Sequence, residues 1–261
     1  MKTGVMILGF LAAAGITAGN SDGIFRISFD GKEGIPAPAC ESGKDGIDRI
    51  HRVEEAGLEL FPCPKPSKGT VMVCPGGGYS ILAISHEGRD IAKMLNGFGY
   101  DVAVLLYHVS AGDKTRDMAL DDAKKGLSLL QARSGEFGFN ARRIGVMGFS
   151  AGGHLAARLA HETKKGTPPD FSLLVYPAYL EKGGKLLDEV MPPDVPVFIY
   201  VAADDAYSPS SRAFVEYCKE NRVRCDFTEA KSGGHGFGIK EPLPKGVSDW
   251  PEKLGAFLES L

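Results

Sequence analysis

The sequence predicts an α/β domain built on a doubly wound, mostly parallel sheet, and three observations predict it. From residue 70 onward, apolar runs of strand length alternate with amphipathic stretches of helix length. The runs are hydrophobic at consecutive rather than alternate positions, as in strands covered on both faces. Glycines cluster directly after several of them, where the chain must turn tightly at the sheet edge. Right-handed crossovers then give one doubly wound domain. The 261 residues are 43% hydrophobic and 24% charged, enough to bury a sizeable core. No internal repeat, linker or second domain interrupts the pattern.

Taken in order, the chain opens on Lys2 and an apolar, small-residue run from Val5 to Ala18, with Ile16-Thr17-Ala18 as a cleavage site. This predicts a secretory signal peptide over 1–19 and a secreted or periplasmic protein, with one domain over 20–261. The run is short for a membrane-spanning helix and no cysteine follows for a lipid, so no stable membrane anchor is expected. A Gly-, Asp- and Pro-rich lead-in carries a short strand at 24–29. Leu58-Glu59-Leu60-Phe61 then meets Pro62, Pro64 and Pro66, which reads as an edge strand ended by a proline turn. Strands follow at 70–74, 102–107, 144–148, 171–176, 195–202 and 225–228. Helices lie between them at 86–96, 117–133, 151–163 and 210–220, and a last helix covers 249–260 with Pro251 in its first turn. The interval 177–194 holds Gly183-Gly184 and Pro192-Pro193, enough for a turn and a short helix but not for a large cap.

Charge and cysteine content narrow the function classes. Lys and Arg number 30 against 33 Asp and Glu, a net of −3, so nucleic acid is not an expected partner. Five cysteines leave one unpaired in a monomer. Cys74 closes an apolar strand as a small hydrophobe; Cys218 and Cys225 could pair locally, and Cys40 with Cys63 is the weaker pairing. No CxxC pair or HExxH occurs, so neither a metal nor a cofactor is expected.

The chemistry concentrates at Gly148-Phe149-Ser150-Ala151-Gly152, which follows a strand directly and opens a helix. Small neighbours allow the sharp turn that pushes a serine hydroxyl out at the sheet edge, and the helix N-terminus favours developing negative charge. A serine hydroxyl needs a base, and the base needs an orienting acid. Of the histidines after Ser150, His154 and His161 lie on the helix itself. His235 stands in the loop Gly233-Gly234-His235-Gly236-Phe237-Gly238 past the last strand and is the candidate base. Asp204-Asp205 follow the strand ending at Ala202. Asp205 is the first choice for the acid and Asp204 the second, its other role being to hold the turn. Cys74-Pro75-Gly76-Gly77-Gly78-Tyr79 supplies uncovered backbone N–H groups. Gly77, Gly78 and Ala151 are the candidate oxyanion-hole donors, with the Tyr79 N–H as alternative. Tyr79, Phe149, Tyr207 and Phe237 stand beside these loops and are candidates to wall the substrate pocket. His86-Glu87 lies soon after the glycine loop and could border the site, but reads first as the start of the first helix, with Glu87 favourable there.

These stretches resemble the α/β-hydrolase superfamily, and more narrowly its secreted esterase branch of acetyl-xylan and feruloyl esterase-like proteins, related to the hormone-sensitive-lipase-like group. The likeness spans about residues 45–261 and departs at Pro75, where the lipase-like relatives carry His before the glycines. It implies a serine carboxylesterase that forms an acyl-enzyme and needs no cofactor. The missing cap implies short acyl groups, acetyl above all, on an open site that admits an acetylated polysaccharide. A peptidase on the same triad, and an inactive hydrolase fold used for binding, are the alternatives.

Overall fold

The computed structural model describes residues 23–64 and 66–261; the predicted signal peptide lies outside them. Eight strands form one sheet: β1 (Phe25–Ser28), β2 (Gly57–Phe61), β3 (Thr70–Cys74), β4 (Asp101–Leu106), β5 (Ile144–Phe149), β6 (Ser172–Val175), β7 (Val197–Ala202) and β8 (Cys225–Ala230). Their spatial order is β1-β2-β4-β3-β5-β6-β7-β8. β1 and β2 are antiparallel, joined to the rest through Leu58 opposite Leu105; every later pairing is parallel. β3, β4 and β5 are buried at every position, as two-sided coverage requires. The stretch 57–61 is therefore not an edge strand. β1 covers its outer side, and the prolines follow the strand without interrupting it.

Among the described residues, five α-helices connect or flank the parallel strands: α1 (Asp90–Phe98), α2 (Thr115–Arg133), α3 (Ala151–Thr163), α4 (Ser208–Glu220) and α5 (Trp250–Glu259). The helix expected over 86–96 is in fact two pieces, a π-helical turn at Ser85–Arg89 followed by α1. That turn buries His86 and Glu87 where an amphipathic surface helix would expose them. Between β6 and β7 the chain makes a two-stranded hairpin, 181–182 with 185–186, and a 3-10 turn at Asp188–Val190 in place of the expected short helix. A second small hairpin pairs 40–42 with 48–50. No described helix is long and apolar enough to cross a membrane.

The five cysteines are free thiols. Cys218 and Cys225 are neighbouring free thiols, not a disulfide. Cys63 is buried with its Sγ on the Asn96 carbonyl, 3.5 Å away, while Cys40 is exposed, so the second expected pairing is absent as well.

Close packing at the β5–α3 turn explains two of its glycines. A Cβ on Gly152 would stand 2.1 Å from the Cys74 carbonyl oxygen, and one on Gly148 would stand 2.1 Å from the Gly152 carbonyl oxygen. Both obstacles are backbone and cannot rotate away. Gly152→Ala is expected to cost roughly 3 kcal/mol or more. Gly97→Ala, at an exposed helical site with nothing within 4 Å of the added carbon, is expected to gain up to about 1 kcal/mol. Urea midpoints of the two variants check this; equal midpoints would mean that the turn tolerates a side chain.

Candidate active site

Three parallel strands deliver three polar side chains to one edge of the sheet. Ser150 follows β5 with φ 51° and ψ −119°, a left-handed conformation strained for any residue with a Cβ. It is held by its own N–H on the Val175 carbonyl at 3.3 Å and by its carbonyl, which accepts from Ala178 N–H at 3.1 Å. His235 comes from the loop after β8, and Asp205 from the turn after β7. Ser150 Oγ lies 2.7 Å from His235 Nε2, and His235 Nδ1 lies 2.7 Å from Asp205 Oδ2. An Nδ1–H donated to the carboxylate leaves Nε2 as the acceptor for the serine hydroxyl. Asp205 is buried, and its other oxygen accepts from Tyr207 N–H at 2.7 Å. The imidazole rests between the rings of Tyr176 and Tyr207, 5.1 and 5.0 Å away.

The two adjacent aspartates divide the work. Asp204 does not reach the imidazole. Its carboxylate accepts from the N–H groups of Gly234 at 2.9 Å and Gly233 at 3.3 Å, which fixes the loop that carries His235. Those backbone bonds, the Gly234 one foremost, hold its acidity below the ordinary carboxylate range.

The glycine loop after β3 lies against the serine: a Cβ on Gly76 would stand 3.0 Å from Ser150 Cβ. The Gly76 N–H is already taken by Glu87 Oε2 at 2.8 Å. Among the described residues no hydrogen bond engages the N–H of Gly77, Gly78, Tyr79 or Ala151. Ala151 is the first residue of α3, whose N–H has no acceptor within the helix. Unengaged amides on both sides of Ser150 can receive an anionic oxygen.

Glu87, which the sequence places first at a helix start, borders the site. Its second oxygen accepts from Tyr176 O–H at 2.8 Å, and the Tyr176 oxygen in turn accepts from Gly238 N–H at 2.8 Å. The neighbouring His86 donates Nε2–H to the Gly236 carbonyl at 3.2 Å, while its own carbonyl accepts from Ile239 N–H at 3.0 Å. One π-helical turn thus grips the glycine loop on one side and the histidine loop on the other. The adjacent His86-Glu87 pair beside a glycine loop was the only sequence signal for it.

Of the four pocket-wall candidates, Phe149 and Phe237 are packing residues, and Tyr79 is largely buried but lines a cleft beside the glycine loop. Phe149 is fully buried between Tyr176 and Trp250 and supports the turn from beneath. Phe237 is buried against Tyr176, with ring centres 4.4 Å apart. Tyr79 is buried too, its hydroxyl sharing a 2.7 Å hydrogen bond with His154 Nδ1. Tyr207 stays half-exposed at the rim, beside Tyr179, with ring centres 5.2 Å apart. No group of His, Cys, Asp and Glu among the described residues could hold a metal ion.

His154 is fully buried beneath this rim. Burial first, then the charges of Arg116 and Arg158, push its pKa down to about 3. Glu189 approaches its Nε2 to 3.5 Å but also faces Arg158 at 3.6 Å, so it does not offset the burial. The unfolded chain takes up a proton near pH 6.5 that the folded one refuses. Stability from this residue is therefore intact above pH 6.5 and falls as pH drops toward 3, with a slope approaching about 1.4 kcal/mol per unit. His154→Gln is expected to remove that slope. Urea unfolding of both proteins at pH 7, 5.5 and 4.5 checks it, and parallel losses would contradict it.

Comparison with known proteins agrees with this architecture. A family model described as alpha/beta hydrolase fold matches residues 71–193. An acetylxylan esterase of Xylanibacter ruminicola is 29% identical over 237 residues, covering 77% of this chain and 49% of that enzyme. The endo-1,4-beta-xylanase B of Butyrivibrio fibrisolvens is 28% identical over 166 residues, 56% of this chain and 26% of that enzyme. The chain thus spans about half the length of the first relative and about a quarter of the second. Among solved structures, an acetyl ester-xyloside bifunctional hydrolase from Caldicellulosiruptor lactoaceticus superposes with a TM-score of 0.68 at 25% identity, over 79% of this chain and 88% of that one. An alpha/beta hydrolase enzyme from a Medee basin deep-sea metagenome library gives 0.69 at 22% identity, over 91% and 96% of the two chains. The chain carries the α/β-hydrolase fold and resembles the acetylxylan esterases of that superfamily.

Proposed function

We propose that the protein is a secreted or periplasmic serine carboxylesterase that removes short acyl groups, acetyl above all, from carbohydrate. The observation that carries this reading is the relay Ser150–His235–Asp205, two hydrogen bonds of 2.7 Å ending in a buried carboxylate. Ser150 Oγ attacks the ester carbonyl while His235 Nε2 takes its proton. The carbonyl oxygen becomes anionic and is held by the unengaged N–H groups of Gly77, Gly78 and Ala151. His235 returns the proton to the departing alcohol, leaving an acyl-serine. A water, deprotonated by the same nitrogen, releases the carboxylic acid and restores the serine. Asp205 holds the imidazole in the required tautomer and stabilises its cation.

The substrate class rests on two supports. The relatives in sequence and in structure include an acetylxylan esterase and an acetyl ester-xyloside hydrolase. Where a cap would cover the site, 177–194 holds only a small hairpin and a 3-10 turn, which leaves the serine edge open and offers little apolar surface to a long acyl chain. An open edge suits a bulky alcohol such as an acetylated polysaccharide.

A fluorophosphonate probe should label Ser150, and Ser150→Ala should lose both labelling and ester turnover, leaving well under about a tenth of kcat. Asp205→Asn should cost roughly 10³–10⁴ in kcat, and Asp204→Asn far less. An unlabelled wild type would favour an inactive binding protein. With p-nitrophenyl acetate, butyrate, octanoate and palmitate, kcat/KM should fall along the series, and acetate should be released from acetylated xylan. A rise to octanoate or beyond would overturn the short-acyl reading, and faster cleavage of an anilide than of esters would favour a peptidase.

A further inference from the structure

Beside the glycine loop, a cleft lined by Gly78 and Tyr79 on one side and by Ser110, Asp113, Thr115 and Arg116 on the other holds a cation without a counter-ion. The Arg116 guanidinium carbon lies over the Tyr179 ring, 4.9 Å from its centre, and over the Tyr79 ring at 5.6 Å. A cation over aromatic rings keeps its N–H donors, and among the described residues no hydrogen bond engages those of Arg116, whose planar fork is the geometry that receives a carboxylate. Among the described residues no carboxylate pairs with it. Asp117, one position on, is taken by Arg158 at 3.2 Å, and Asp113 lines the cleft without forming an ion pair with Arg116.

The position of Arg116 is also costly to the fold. It is the second residue of α2, where the helix dipole disfavours a cation, and Lys114 precedes it. An arginine there does not stabilise its helix; it adds to the positive potential of the helix N-terminus. Two tyrosines fix the direction it faces. The Tyr179 hydroxyl stands 3.9 Å from where a Cβ on Gly78 would be, so this rim borders the candidate oxyanion donors. Tyr179 meets Tyr207 edge-on, and Tyr207 in turn lies beside the imidazole of His235.

We propose that this cleft is a subsite for a carboxylate borne by the ester substrate, and that Arg116 is the specificity-determining residue that binds it. The inference rests on the carboxylesterase reading. The carboxylate can belong to the alcohol, as a uronic acid on a glycan, or to the acyl group, as in a dicarboxylic half-ester.

The experiment has one arm for each. The first compares kcat/KM for an acetylated xylo-oligosaccharide with and without a glucuronic acid branch. The second compares p-nitrophenyl hemisuccinate with p-nitrophenyl butyrate. Wild type should favour the acidic member by at least about tenfold in one arm, and added salt should shrink the preference. Arg116→Gln should bring the ratio close to one, and Arg116→Lys should keep part of it. The readout is a ratio between two substrates on one enzyme, so a general loss of activity cancels. No acidic preference in either arm, or one that survives in Arg116→Gln, overturns the subsite while the esterase stands. No turnover of any of the four esters overturns the esterase and the subsite together.

Discussion

A buried carboxylate, Glu87, bridges the glycine loop after β3 and, through Tyr176, the loop after β8. One carries the amides offered to an oxyanion, and the other carries His235. Glu87 is 3% exposed, and a charge so placed is tolerated only when its oxygens are engaged. Gly76 N–H engages one and Tyr176 O–H the other, and Tyr176 passes the constraint on to Gly238. Trp250 secures the same point from α5 by donating its indole N–H to the Gly238 carbonyl at 2.9 Å. The glycine loop is also fastened from behind, where Tyr107 O–H donates to the Pro75 carbonyl at 2.6 Å. The serine turn needs no such brace, because β5, α3 and the close approach of Gly152 to Cys74 fix it.

This division of labour bears on the chemistry. The candidate nucleophile sits on the closely packed turn between β5 and α3. The candidate base His235 and the candidate donors Gly77 and Gly78 sit on loops whose relative position is set by hydrogen bonds. Backbone strain gathers in the same region: Ser150, Tyr79, Tyr176 and Tyr179 all have positive φ. The strained backbones are held by the burial of Tyr79 and Tyr176 and by the packing of the sheet edge. What remains open is the outer rim, where Tyr179, Tyr207 and Arg116 meet solvent. Ser150 and Asp205 are thus buried, while His235 and the residues of the outer rim reach solvent.

Much of this was legible in the sequence. The parallel strands could be read because they are apolar at consecutive positions, and the β5–α3 turn because small residues flank Ser150. His235 and Asp205 stood out by chain order and by following strands. The rest was not legible, for physical reasons. A proline turn after residue 61 looks the same whether or not another strand pairs outside, so β2 read as an edge. Aromatic residues beside catalytic loops serve packing and binding alike, and burial alone separates Phe149 and Phe237 from Tyr207. Glu87 in a first helical turn matches a dipole-favoured surface residue. Only the π-helical turn aims it inward, and no local pattern announces that turn.

The most direct test of this account is a double-mutant cycle on kcat for p-nitrophenyl acetate, with Glu87→Gln, Tyr176→Phe and the pair. Tyr176→Phe removes one oxygen, the link between Glu87 and Gly238, and Glu87→Gln cannot accept both of its hydrogen bonds. If one brace aligns both loops, either change releases it. The double variant should then be little slower than the slower single one, with a coupling of at least about 1 kcal/mol. Losses that add to within about 0.5 kcal/mol would mean that the two residues act separately, and would contradict the account.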